Sequence, residues 1–143
     1  MVTIRKNERG AALMETAITI PIILLICVAI FDFGRAYQTW QVLTNAAREG
    51  ARVSIISGKS DADVTNIVKA YIEAGGLESA RILTIDRSQV DIPTTPPVQG
   101  SQVTVDYNFS FIVLGPIMKM VDRTSTQGNV LTMRGVAVMR NEG

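Results

Sequence analysis

Sixteen consecutive residues without a charge, Thr16 to Phe31 (TAITIPIILLICVAIF), restrict what this chain can fold into more than any other feature. Taken from Glu15 to Asp32 as a helix at ~1.5 Å per residue, the run measures about 25 Å, against ~30 Å for a bilayer core. A span this short leans on its flanks, and the flanks are asymmetric. Arg5, Lys6 and Arg9 outnumber Glu8 before it, while Phe33, Tyr37 and Trp40 follow it, where amphipathic rings favour a membrane interface. The positive-inside rule puts residues 1–10 in the cytoplasm and the chain after about Tyr37 on the far side. The core helix of a soluble protein leaves that charge asymmetry unexplained. A removed secretory signal needs a small-x-small site, for which Val28-Ala29 and Gly34-Arg35-Ala36 are poor candidates beside Phe31, Asp32 and Phe33. Nor does Leu24-Leu25-Ile26 ahead of Cys27 make a lipoprotein signal, which requires small residues there.

Composition removes several classes of chemistry. The chain of 143 residues has no histidine and one cysteine, so intrachain disulfides and His-based acid–base catalysis are excluded, and His/Cys metal sites with them. A net charge of +1 argues against general attraction to nucleic acid, and no basic patch with interleaved aromatics occurs. The length suits one modest domain plus one segment outside it.

Two residues inside the N-terminal stretch are unusual. Pro21 sits one turn into the span, removes one backbone hydrogen bond and predicts a local bend. Glu15 places a carboxylate at the edge of membrane depth, where an unpaired charge is costly. Gly10 followed by Ala11-Ala12-Leu13-Met14-Glu15 resembles the type IV prepilin processing signal, in which a basic leader ends in glycine and a glutamate stands fifth in the mature chain. Residues 9–52, with RGAALMETAITIPIILL, then FDFGRAYQTW and NAAREGAR, are similar to the TadE-like proteins, pseudopilin-type components of tight-adherence (Flp) pilus systems. That pattern usually carries an aromatic after the glutamate, where this chain has Thr16.

The resemblance implies cutting between Gly10 and Ala11 by a prepilin peptidase. It also implies partners among other pilin subunits and the pilus assembly platform, anchoring in membrane lipid, and neither catalysis nor a cofactor. The new α-amino group at Ala11 is a cation at neutral pH, and the Glu15 carboxylate of a neighbouring subunit is suited to neutralise it. Two readings from other classes stay open beside a minor pilin: a filament-forming structural pilin, and an uncleaved signal-anchored periplasmic binding domain.

Past the span, Phe33, Tyr37, Trp40, Leu43, Ala47 and Ala51 recur at three- and four-residue steps and predict that the helix continues to about Ser54. Ala46/Gly50 and Ala47/Ala51 are small-xxx-small pairs that admit another backbone, either of the chain's own domain or of a neighbouring subunit. Arg48, Glu49 and Arg52 line one flank. The expected organisation is a leader over 1–10, a membrane and amphipathic helix over 11–56, and a periplasmic α+β head over 57–143.

Within the head, Gly58-Lys59-Ser60 lacks the first glycine and the preceding strand of a phosphate loop. Ser60-Asp61-Ala62-Asp63 reads instead as a helix cap, followed by an apolar stripe of Val64, Ile67, Val68, Tyr71 and Ile72, with Gly75-Gly76 as the stop. Strands are expected at Ile82–Asp86, at Val90–Ile92, at Ser101–Phe111 and at Asn129–Arg140, the last with Leu131, Met133, Ala137 and Met139 on one face. Gly115-Pro116 predicts a turn and a short helix within Ile112–Val121, as a patch near the membrane. Asp86, Asp91, Asp106 and Asp122 lack ligand-loop spacing and read as ordinary surface carboxylates. The fold class is α+β, a long helix carrying a pilin-like head with a second helix and a short antiparallel sheet.

Overall fold

A computed structural model describes residues 8–56, 58–94, 97–116 and 130–141. Its elements follow the order helix, helix, three strands: α1 (Glu8–Ser54), α2 (Asp61–Ala74), β1 (Ile82–Ile92), β2 (Val98–Ser110) and β3 (Val130–Arg140), with one 3-10 turn at Ser79–Arg81. The fold is the α+β arrangement expected from the sequence.

Helix α1 runs 47 residues without interruption, about 70 Å at ~1.5 Å per residue. It takes in Pro21, and it begins at Glu8, ahead of Gly10, not after it. Thr16 and Thr19, polar residues within the apolar stretch, donate their hydroxyls to the carbonyls of Ala12 and Glu15 at 2.8 Å each. Those bonds satisfy both hydroxyls inside the helix, so neither exposes an unpaired donor to an apolar medium.

Helix α2 is bounded as its sequence predicts. The Ser60 hydroxyl accepts from the Asp63 amide at 3.3 Å while the Asp63 carboxylate accepts from the Ser60 amide at 2.9 Å, a reciprocal capping box. At the other end Gly76 adopts φ +77, and the amides of Gly76 and Leu77 donate back to the carbonyls of Glu73 and Ile72. That left-handed turn suits a residue without Cβ and stops the helix. Val64, Val68 and Ile72 are buried, whereas Tyr71 from the same expected stripe is exposed.

The sheet is an antiparallel meander in the order β1-β2-β3. In register, Ile85 faces Val105 and Val103 faces Ala137, while Asp106 sits between Thr84 and Arg134. The two short strands expected within Ile82–Ile92 are one strand, because the centre of β1 pairs continuously with β2 through Asp86–Val90. Strand β2 begins earlier than expected, at Val98, and ends at Ser110. On strand β3 Met133, Ala137 and Met139 of the expected face are half-buried around the buried Gly135, whereas Leu131 at its start is exposed. Of the segment expected to hold a turn and short helix, residues 112–116 form a turn and its beginning; 117–121 and Asp122 lie outside the described residues.

One core holds the head together: Leu43, Ala46, Ala47, Ala51 and Val53 of α1, Val64, Val68 and Ile72 of α2, and Val103, Val105 and Tyr107 of β2. Two glycines set how closely the layers approach. A Cβ on Gly50 would lie 2.6 Å from Val68 Cγ2, and one on Gly135 would lie 2.6 Å from the Leu43 carbonyl oxygen. The second contact is with backbone, so α1 rests directly on β3 there.

Candidate functional site

The long helix divides at Asp32. From Gly10 to Phe31 its large apolar side chains are exposed, among them Leu13, Ile18, Ile22, Ile23, Leu24 and Ile26. Its most apolar 18-residue window is 6% buried inside the protein, and the helix is long and apolar enough to cross a membrane. A soluble core helix would be covered there, so the bare surface favours lipid or another subunit as its surroundings. From Asp32 to Ser54 the same helix carries the head, attached by a clasp at each end.

The lower clasp is built on Asp32, which is fully buried. Its carboxylate accepts backbone N–H bonds from Ile112 at 3.4 Å, Val113 at 3.0 Å and Leu114 at 2.9 Å, just after β2 ends. Arg35, one turn on, adds a contact at 3.4 Å and sets its guanidinium 5.2 Å from the centroid of the Phe109 ring. Phe33 meets Phe111 edge-on at 6.1 Å, and Phe109 meets Phe111 at 5.2 Å. Three successive amides converging on one oxyanion are charge-assisted bonds in a backbone cradle, the arrangement by which a buried carboxylate is stabilised.

The upper clasp is built on Arg87 of β1. Its guanidinium donates to the Ser54 carbonyl at 2.7 Å and to the Asp61 carboxylate at 3.0 Å, joining the end of α1 to the start of α2. A cation at the C-terminus of a helix meets unsatisfied carbonyls and the negative end of the helix dipole. Beside it the buried hydroxyls of Ser54 and Ser101 are hydrogen-bonded at 2.7 Å.

The residues singled out by sequence fall into separate places. Gly10, Ala11, Glu15 and Pro21 all lie in the bare half of α1. Glu15 is exposed, and no described residue pairs with its carboxylate. Ala46, Ala47, Gly50 and Ala51 lie instead in the head's own core, each buried. Of the two occupants left open for these small pairs, the one present is the chain's own α2 and sheet. The helix continues to Ser54 as the recurrence from Phe33 to Ala51 predicts; along it Phe33, Tyr37 and Trp40 are 48–62% exposed, and burial begins beside them with Asp32, Ala36 and Thr39. The Arg52 guanidinium pairs with Glu49, its Nε 3.0 Å from Oε2, on the exposed flank.

Sequence reasoning missed both clasps. Asp32 was legible only as the charge that ends the apolar run; its position between Phe31 and Phe33 was the available signal. Arg87 carried none, since nothing local distinguishes it from a solvated strand residue. Among the described residues no group of three His, Cys, Asp or Glu is placed to hold a metal ion. A cleft of about 370 Å³ between α1 and α2, lined by Gln38, Gln41, Asn45 and Tyr71 among others, offers amides and one phenol.

Comparison with curated proteins and with solved structures returned no match. The family model described as TadE-like protein matches residues 10–52, from the glycine at the head of the bare span almost to the end of α1. Over that helix, Asp32 and its buried stripe included, the chain is similar to the TadE-like proteins.

Proposed function

We propose that this chain is a minor pilin-like subunit of a tight-adherence pilus machine, cut by a prepilin peptidase and acting through helix packing and not through catalysis. The observation that carries the reading is the bare half of α1. A helix with Gly10 and Glu15 at its head and exposed apolar residues to Phe31 is matched by the TadE-like family model, while the rest of the same helix is sealed into a head. The leader 1–10 lies in the cytoplasm and the head in the periplasm, in accord with the basic residues before the span.

The chemistry of assembly centres on Glu15. After cutting, the Ala11 amine and the Glu15 carboxylates of neighbours neutralise one another at membrane depth, where each alone is costly. The peptide bond between Gly10 and Ala11 lies within a helix here, so cutting requires local unwinding. Glycine lowers that cost by about 1 kcal/mol relative to alanine.

Mass spectrometry of the mature N-terminus is the decisive measurement. A start at Ala11 supports the reading; a start at Met1 or near residue 37 defeats it. Glu15→Gln should insert in the membrane yet assemble poorly, and normal assembly by that variant would remove the charge-pairing role. Sheared fibres rich in this chain would replace the minor role with that of a structural pilin.

A further inference from the structure

The bare span is too short by itself. Between Glu15 and Asp32 it reaches about 25 Å, against the ~30 Å that a bilayer core requires. The lower clasp removes this mismatch. Asp32 is 0% exposed, because the amides of 112–114 close over its carboxylate. The charge that ends the apolar run in sequence is therefore absent from the surface. Past it, Phe31, Phe33 and Tyr37 are each about 60% exposed, and Arg35 lies largely against Asp32 and the Phe109 ring with 31% of its side chain accessible. The Arg35 cation is thus paired with the covered Asp32 carboxylate and lies over an aromatic face, so it does not stand alone at that depth. Counted from Thr16 to Tyr37 the apolar surface is about 33 Å long.

The loop that covers Asp32 brings its own apolar residue. Ile112, 58% exposed, is tied by its amide to the Asp32 carboxylate, and Phe111 beside it packs on Phe33. Its depth along α1 is thus fixed near that of Asp32, five residues or about 7 Å inside Tyr37. Tyr37 and Trp40, with ring centroids 6.0 Å apart, mark the headgroup level by the amphipathic character of their rings.

Resting on the reading that α1 crosses a membrane, we infer that the head stands in the outer leaflet on a lipid-contacting foot formed by Phe31, Phe33, Phe111 and Ile112, with Asp32 enclosed beneath it. The occupant of this surface is lipid because, among the described residues, the patch continues the exposed face of the span, with Asp32 covered and Arg35 held against it. The foot fixes the height and tilt of the head, since a loop stapled to α1 can enter the interface at only one depth.

The test uses the full chain in phosphatidylcholine vesicles whose lipids carry bromine either near the glycerol or near the chain end. In a Trp40→Phe background, single tryptophans are placed by Ile26→Trp, Ile112→Trp and Val138→Trp. Ile26→Trp is expected to lose emission most to deep bromine, Ile112→Trp most to shallow bromine, and Val138→Trp, exposed on the far face of the sheet, to neither. Quenching of Ile26→Trp without quenching of Ile112→Trp overturns the foot and leaves the span intact. Failure of Ile26→Trp to quench overturns both. Should the indole at 112 disturb the loop, spin-labelled Ile112→Cys in a Cys27→Ser background is the second reporter. Relaxation by oxygen over a water-soluble nickel chelate supports the foot, and the reverse order, as expected in water or under a second protein, refutes it.

Discussion

Residues 10–31 and 32–54 belong to one unbroken helix, yet they are stabilised in opposite ways. The first stretch is long-chained, apolar and exposed; the second is small-residue-rich and buried. A helix that meets lipid needs bulk and gains nothing from shape complementarity with its own chain. A helix that meets a sheet and a second helix needs close approach, hence Ala46, Ala47, Gly50 and Ala51. The difference teaches that small residues in this helix serve to seat the head, while the surface left for other molecules is the large-residue half. Breaking the lower half should therefore disturb assembly, and breaking the upper half should disturb folding.

The largest expected effect on folding is at the point where the halves meet. Asp32→Ala leaves three amides without their acceptor and should destabilise the head by about 3 kcal/mol. The loss is read as faster hydrogen exchange at residues 112–114 and a lower melting temperature in detergent. Glu15→Ala, which has no partner among described residues, should leave both measurements unchanged. Equal losses at the two sites would erase the proposed division of the helix.

Next come the close contacts. Gly135→Ala sets a methyl group 2.6 Å from the Leu43 carbonyl oxygen, which cannot rotate away, and should cost about 1–3 kcal/mol in denaturant unfolding. Gly34→Ala, in α1, is its open counterpart. Its Cβ meets nothing within 4 Å and its backbone is helical, so it should stabilise the helix by up to ~1 kcal/mol. If Gly34→Ala is stable but assembles poorly, the open space beside Gly34 belongs to another subunit or to lipid; if it assembles normally, its absence of contacts in the isolated chain holds in the assembly as well.

These contrasts also explain what sequence made visible. Period and capping are local, so α1, the Ser60–Asp63 box and the Gly75-Gly76 stop could all be read from it, as could the alternation of β2. The family resemblance lay in Gly10 to Arg52 and was legible as spacing of residue types. What stayed hidden depended on long-range pairing. The buried stripe of α1 starts with Asp32, Ala36 and Thr39, which no hydropathy pattern marks as core, while the more apolar Phe33, Tyr37 and Trp40 beside them stay exposed. Strand β1 was split because Arg87, Ser88 and Gln89 look like a break, although their backbones pair with Val103, Gln102 and Ser101. Arg87 becomes informative only when the ends of α1 and α2 are brought to it.

The smallest effect tests whether the head's far face matters to stability at all. There Asp106 accepts two bonds from Arg134, at 2.7 and 2.9 Å, and one from Thr84 at 3.0 Å. The Arg134 hydrogen bonds come first in holding the Asp106 carboxyl below its ordinary range, with the Thr84 bond adding to them against the opposing effect of burial. A carboxyl with a lowered folded-state pKa contributes its full stabilisation above the unfolded value, about 3.9 for aspartate, and loses it as pH falls through the folded value. Asp106→Asn should accordingly narrow the stability difference between pH 6 and acid, and at neutral pH should cost little, because the partner arginine is solvent-screened. Thermal melts of both proteins across that range check it. An unchanged acid slope would place the pH dependence of the head elsewhere, with the covered carboxylate of Asp32 the next group to replace.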